Sequence, residues 1–189
     1  MDAQKKCWLY SERLGTKAVL TREEFLQEVA LVPAHKRVYV DQYVDQSGVD
    51  DTLTYAWGWS RKGTPCPADR RGHKTARVSM MAALCQGQLL APLTFQGTCY
   101  ATLVESWFEH QLLPSLQEGQ VVILDNAAFH RKDKLRAILA AKGCTLLALP
   151  PYSPDLNPIE HVWNTLKIRI ALDTNLYPTF QHKVDAAFV

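Results

Sequence analysis

Gly119-Gln120-Val121-Val122-Ile123-Leu124-Asp125-Asn126 sets four consecutive apolar residues, three of them β-branched, between a glycine and an acid. A run this short and continuous reads as a buried strand, with Asp125 where the strand leaves its sheet. Working outward toward the C-terminus, residues 132–141 carry Leu135, Ile138 and Leu139 at helical spacing and close at Gly143, and residues 145–149 form another short apolar strand. Strand alternating with helix implies parallel crossovers. Toward the N-terminus, Leu103, Trp107, Phe108 and Leu112 recur at helical spacing up to Pro114. Before that helix the pattern is strand-like over 36–44, 55–60, 76–84 and 88–95, the last two joined as a hairpin through Gln86-Gly87. The expected fold is therefore α/β, a mixed sheet built from a β-meander and then alternating α and β, flanked by helices.

Three acids stand at the ends of these elements. Asp125 is the first. The second closes Pro150-Pro151-Tyr152-Ser153-Pro154-Asp155-Leu156-Asn157-Pro158-Ile159-Glu160, where Asn157 is placed to cap a helix, Pro158 to open it and Glu160 to sit at its third position, with Val162, Leu166 and Ile170 continuing the apolar stripe. Residues 126–159, 34 of them, separate Asp125 from Glu160. The third acid lies in Val38-Tyr39-Val40-Asp41-Gln42-Tyr43-Val44-Asp45-Gln46-Ser47-Gly48, a strand-like run that delivers an aspartate at its end. Taken singly, Asp125 followed by Asn126 is a turn former, Glu160 a capping partner, Asp155 a turn residue, and Trp57, Trp59, Trp107 and Trp163 packing groups. Taken together, three carboxylates on separate rigid elements make an oxygen site for a hard cation, with Asn126 and His130 beside it as supporting groups.

At 189 residues and 47% hydrophobic content the chain is long enough for one domain, 36–189, preceded by a helical appendage or linker remnant, 1–35. In that appendage Thr21 and Glu24 suggest a capping box ahead of Phe25, Leu26, Val29 and Ala30, with Pro33 as the stop. Lys plus Arg number 21 against 19 acids, so overall charge makes no case for nucleic acid. The local excess does: Arg61, Lys62, Arg70, Arg71, Lys74 and Arg77 face only Asp69, which fits either a solvated loop or a phosphate contact. Cys7, Cys66, Cys85, Cys99 and Cys144 are odd in number and lack paired metal-ligand spacing, so they read as reduced cytosolic thiols. With no signal peptide and no apolar run of bilayer length, the expected location is cytoplasmic, without a membrane partner.

The stretches VDQSG, LDNAAFH and LPPYSPDLNPIEHVW closely resemble the catalytic domain of bacterial insertion-sequence transposases of the mariner superfamily, over nearly all of residues 36–188. That resemblance implies a ribonuclease-H-like fold and a DDE triad with Asp125 as second and Glu160 as third acid. It implies two Mg2+ ions, replaceable by Mn2+, and partners that are DNA: transposon ends, a target with TA dinucleotides, and a homo-oligomer on DNA in the nucleoid. The reaction implied is cleavage of a phosphodiester bond followed by attack of the freed 3′ hydroxyl on target DNA. In this family a helix-turn-helix region recognises the ends, and 1–35 is too short for the usual pair of modules, so end recognition would need an upstream segment or another polypeptide, such as one encoded by another reading frame. Two other functions remain open: a ribonuclease-H-like nuclease that cuts without joining, and an inactive or truncated fragment that binds DNA or partner subunits.

The first acid is ambiguous because Tyr39-Val40-Asp41-Gln42 is repeated at once as Tyr43-Val44-Asp45-Gln46. A four-residue shift keeps both aspartates on one face of a regular strand, so facing cannot choose between them. Asp45 is preferred as the catalytic and metal-binding residue, since it keeps its distance to Ser47-Gly48 and extra length after Pro33 is easily absorbed. Asp41 is the alternative, and would push the extra residues into the following hairpin. Gln46 stands where relatives usually have Glu.

Overall fold

Alternation along β1 (Arg37–Tyr43) turns Val38 and Val40 to one side of a sheet and Tyr39 and Asp41 to the other, and that division organises the protein. The computed structural model describes residues 16–43, 49–51, 59–65, 67, 77–127, 130–151 and 153–188. Beside β1 runs the antiparallel β3 (Arg77–Cys85), buried along all but its first residue, and β3 in turn pairs with β4 (Gln88–Phe95). The β3–β4 turn is Gln86-Gly87, both at positive φ (50° and 80°), the two-residue geometry whose twist suits a hairpin. On the other side of β1 lie β5 (Val121–Leu124) and then β6 (Thr145–Ala148), each parallel to its neighbour. A two-residue strand β2 (Val49–Asp50) pairs with the start of β3, giving the order β2-β3-β1-β5-β6 with β4 also on β3.

Helices cover both faces. On the Val38, Val40, Val122 and Leu124 face pack α2 (Ala101–Trp107), which continues through a π-turn at Phe108–Leu112 into α3 (Leu113–Ser115), and α4 (Lys132–Ala140). Their contributions are Val104, Trp107, Phe108, Leu112, Leu135 and Leu139. The opposite face takes α5 (Ile159–Leu172) and α6 (Phe180–Ala186), whose Ile159, Trp163, Leu166, Ile170 and Val184 close over Met80, Ala82 and Leu84. α1 (Thr16–Leu31) lies on the same side, burying Phe25 and Val29 against Ile123 and Leu149.

The meander, the hairpin and the later alternation follow the sequence reading closely. Two local expectations differ. α1 already runs from Thr16, so Thr21 is inside the helix and not its cap; Lys17, Ala18 and Leu20 are good helix formers that carry the helix upstream. Asn157 gives no side-chain cap to α5, and its side-chain oxygen is buried without a hydrogen-bond partner among the described residues. Most of the expected 55–60 strand lies outside the described residues, and Trp59, at its end, is fully exposed. The described cysteines Cys85, Cys99 and Cys144 are free, and no described helix is long and apolar enough to cross a membrane.

Candidate active site

Parallel pairing brings the first two acids together. Val40 is opposite Leu124, so Asp41, still within β1, and Asp125, the first residue after β5, are the next residues along adjacent parallel strands. β6 ends level with β5, and the chain returns through Pro150, Pro151 and a short 3-10 turn, Pro154–Leu156, to start α5 with Glu160 in its first turn. Asp41, Asp125 and Glu160, with Asn126, Ser153 and Asn157, line a cavity of about 480 Å3.

The acids differ in surroundings. Asp41 is only 8% exposed, and its Oδ2 accepts a 2.9 Å hydrogen bond from the Trp163 indole. Burial, and after it the charge of Glu160, push the Asp41 carboxyl from 3.8 up to about 7; the Asp125 charge adds to the rise, and hydrogen bonds from the Gln42 backbone and Trp163 oppose it. Glu160 is also raised, first by burial and then by Asp125, against lowering by Lys167, His161 and a hydrogen bond with Asp41. Asp125 is the open member, its side chain 44% exposed, with Oδ1 2.8 Å from Nε2 of a buried His130. A second tie holds the wall of the cavity: Arg22 of α1 donates to Ser153 Oγ (2.6 Å) and pairs with Asp155 (2.7 Å).

The strand register bears on the duplicated motif. Tyr43 is opposite Met80, so an unbroken antiparallel register would put residue 45 against Val78; Val49 occupies that place instead. The β1–β2 side therefore holds four extra residues between Tyr43 and Val49, the length of the repeat. Asp41 remains on the strand beside Asp125, while Asp45 lies outside the described residues.

The donor set suits a hard divalent cation, being all oxygen and anionic. Among the described residues no three His, Cys, Asp or Glu side chains already close into a cation cage. The upward shifts of Asp41 and Glu160 come first from burial and then from neighbouring carboxylates, a cost of charge that a cation would offset, and they carry a pH signature. The folded state keeps a proton on Asp41 that the unfolded chain has released above about pH 4, so this stability is fully present below 3.8 and is lost as pH rises through about 7. Without metal, the melting temperature should rise by roughly 5 °C from pH 8 to pH 5.5, and millimolar Mn2+ should shrink the difference. Scanning calorimetry at the two pH values checks this; a flat response would remove the buried charge from the account.

Next to the carboxylate cavity, and sharing Asn126 and Ala127 with it, is a mainly basic one of about 670 Å3 lined by Arg131, Lys132, Lys134 and Arg136 with His130 and a single acid, Asp133, which pairs with Arg136 (3.0 Å). Arg131 and Lys134 clasp the buried Glu105 (2.5 and 2.7 Å), which the Lys134 hydrogen bond holds below the usual carboxylate range, and Lys132 bonds Asn126. Sequence reading passed over this rim, although the cue was present in His130-Arg131-Lys132-Asp133-Lys134. It also passed over Trp163 as a partner of an acid, although Trp163 falls one helical turn after Glu160. Of the basic residues it did single out, Arg61 and Lys62 are exposed, Arg77 is exposed at the start of β3, and none of the three lines either cavity; Arg70, Arg71 and Lys74 lie outside the described residues.

Residues 42–181 match the DDE superfamily endonuclease family, a span that contains Asp45, Asp125 and Glu160 and begins one residue after Asp41. The Tc3 transposase of Caenorhabditis elegans is 40% identical over 164 residues, covering 85% of this chain and 50% of that protein, so the chain spans about half the length of this relative. Among solved structures, the Mos1 strand transfer complex superposes with a TM-score of 0.70 at 16% identity, over 98% of this chain and 56% of that one. A mariner Mos1 paired end complex with Mg gives 0.61 at 14% identity, over 100% and 65%. At such identities the likeness is one of fold, the ribonuclease-H-like arrangement of sheet and flanking helices.

Proposed function

The chain belongs to the DDE superfamily endonucleases, and from that premise we propose that it is the catalytic domain of a DNA transposase, cutting a phosphodiester bond and joining the freed 3′ hydroxyl to target DNA. The observation that carries the reading is the convergence of Asp41, Asp125 and Glu160 on one cavity from two adjacent parallel strands and a helix start. In this reading Asp41 takes the first position of the triad and Asp45 is one of the residues that the repeat adds. Alignment by sequence favours Asp45; strand pairing favours Asp41, because only a residue directly after Val40 sits beside Asp125.

The three carboxylates would hold Mg2+ or Mn2+, two ions in our reading, and such ions activate the attacking oxygen and stabilise the departing one. The Mg in the Mos1 paired end complex supports the choice of cation. The chain's own groups set the stage: Trp163 orients Asp41, His130 orients Asp125, and Arg22 steadies the loop that delivers Glu160. The basic rim of Arg131, Lys132, Lys134 and Arg136 lies where a strand leaving the cavity can place its phosphates. Recognition of transposon ends we assign to a helix-turn-helix segment outside these 189 residues, and assembly to a homo-oligomer on DNA. The half-length coverage of the Tc3 transposase and the paired ends of the Mos1 complex support both assignments.

A labelled oligonucleotide with a free 3′ end, mixed with plasmid and Mn2+, tests the function. Joined product that Glu160→Gln abolishes while keeping its fold is the expected result. Cleavage without joining would assign a nuclease, and neither activity a binding fragment. For the rim, Lys132→Ala with Arg136→Ala should weaken DNA binding and flatten the plot of log affinity against log salt by about 1–2 units. Arg70→Ala with Arg71→Ala is the comparison: a slope that changes only there would move the phosphate track to the 61–77 loop.

A further inference from the structure

Asn157 keeps a polar atom that its own fold leaves unused. The residue is 3% exposed, and its backbone is held on both sides: its N–H donates to the Pro154 carbonyl (3.0 Å) and its carbonyl accepts from the Glu160 N–H (3.2 Å). An asparagine just before a helix ordinarily caps it with the side-chain oxygen. Here no side-chain cap is formed, and Oδ1 is buried with no hydrogen-bond partner among the described residues. The residue lines the cavity of Asp41, Asp125 and Glu160. A buried acceptor left unmade is destabilising, and in a residue that lines a cavity of anions a cation or a donor hydrogen arriving with the ligand would satisfy it.

We propose that Asn157 supplies a neutral fourth oxygen to the cation site, through Oδ1 bound to the divalent ion or to a water in its shell. The proposal rests on the reading above that the cavity takes such an ion. A neutral amide is well suited to the place. It adds a hard oxygen ligand without adding charge to a cluster whose acids already repel one another, and its backbone bonds to Pro154 and Glu160 couple its position to that of the third carboxylate.

The test uses the chain without DNA: Mn2+ binding followed by the electron paramagnetic resonance of free Mn2+, and thermal unfolding with and without Mn2+, for wild type, Asn157→Ala, Asn157→Asp and Asp125→Asn. Asn157→Ala should weaken Mn2+ binding roughly 10-fold, leave the metal-free melting temperature unchanged or higher because an unpaired acceptor is gone, and shrink the Mn2+-induced rise. Asn157→Asp should restore binding. Wild-type affinity in Asn157→Ala, or a lower metal-free melting temperature with the Mn2+-induced rise intact, would overturn the proposal in favour of a purely structural residue. If wild-type binding depends on Asp125 but not on Asn157, this inference alone falls. If wild type binds no Mn2+, or binds it regardless of Asp125, the cation reading falls and takes the inference with it.

Discussion

Asp41→Asn is expected to lower DNA cleavage and joining by at least about 10³-fold, and Asp45→Asn to retain most of the activity. The substitution preserves shape and removes the charge that would bind the cation. Asp41 is fastened to the site from both sides, by the β1–β5 register that sets it beside Asp125 and by the Trp163 indole on its Oδ2. Asp125→Asn and Glu160→Gln should cause losses of the same order. Folding supplies an internal control: at pH 8, without metal, Asp41→Asn should melt higher than wild type, because it deletes a buried carboxylate that Glu160 and Asp125 repel. A variant that is both more stable and inactive identifies a group held in place for function at the expense of stability. The opposite pattern, Asp45→Asn dead and Asp41→Asn active, would assign the first position to Asp45 and make Asp41 a second acid of the strand.

Trp163→Ala should be the most destabilising single change, at about 3–5 kcal/mol. The side chain is fully buried between α5 and the sheet, packed with Ile159, Leu166 and Met80, and its loss leaves a cavity the helix cannot close. Trp163→Phe separates packing from the hydrogen bond. It keeps most of the ring but removes the indole N–H, leaving the Asp41 carboxylate one hydrogen bond short at a cost of about 1–3 kcal/mol when that carboxylate is charged. At pH 5 the Asp41 carboxyl, with its pKa near 7, is neutral and the penalty should fall. Urea unfolding at pH 5 and pH 8 measures the difference. An equal penalty at both values would mean that the indole supports packing only.

Trp163 also shows where sequence reading stops. Its apolar spacing with Leu166 and Ile170 is a helical stripe and says that the residue is buried; nothing local says that its nitrogen meets an aspartate 122 residues earlier. Asn157 shows the reverse case. Asn-Pro before an apolar stripe is a sound helix-start signal, and the helix does start there, but the cap expected from the side chain is absent, and its oxygen is buried with no partner among the described residues in a residue that lines the carboxylate cavity. The basic rim was readable as charge in 131–136, yet its meaning came from the shared wall with the carboxylate cavity.

By itself the sequence determined the order of strands and helices and the places of Asp125 and Glu160. Those signals are short-range: β-branched runs, helical apolar spacing, and glycine or proline at the boundaries, all set by interactions within a few residues. Only the tertiary structure decided which aspartate of the repeat stands beside Asp125. Both copies satisfy the same local pattern, and the choice is made by two pairings of distant segments, Val40 with Leu124 and Val49 with Val78, that place four surplus residues after the strand rather than before it. Register is a property of backbone hydrogen bonds between strands, and a tandem repeat shifted by four, an even number, leaves every side chain on its original face, so no pattern within one strand can encode it.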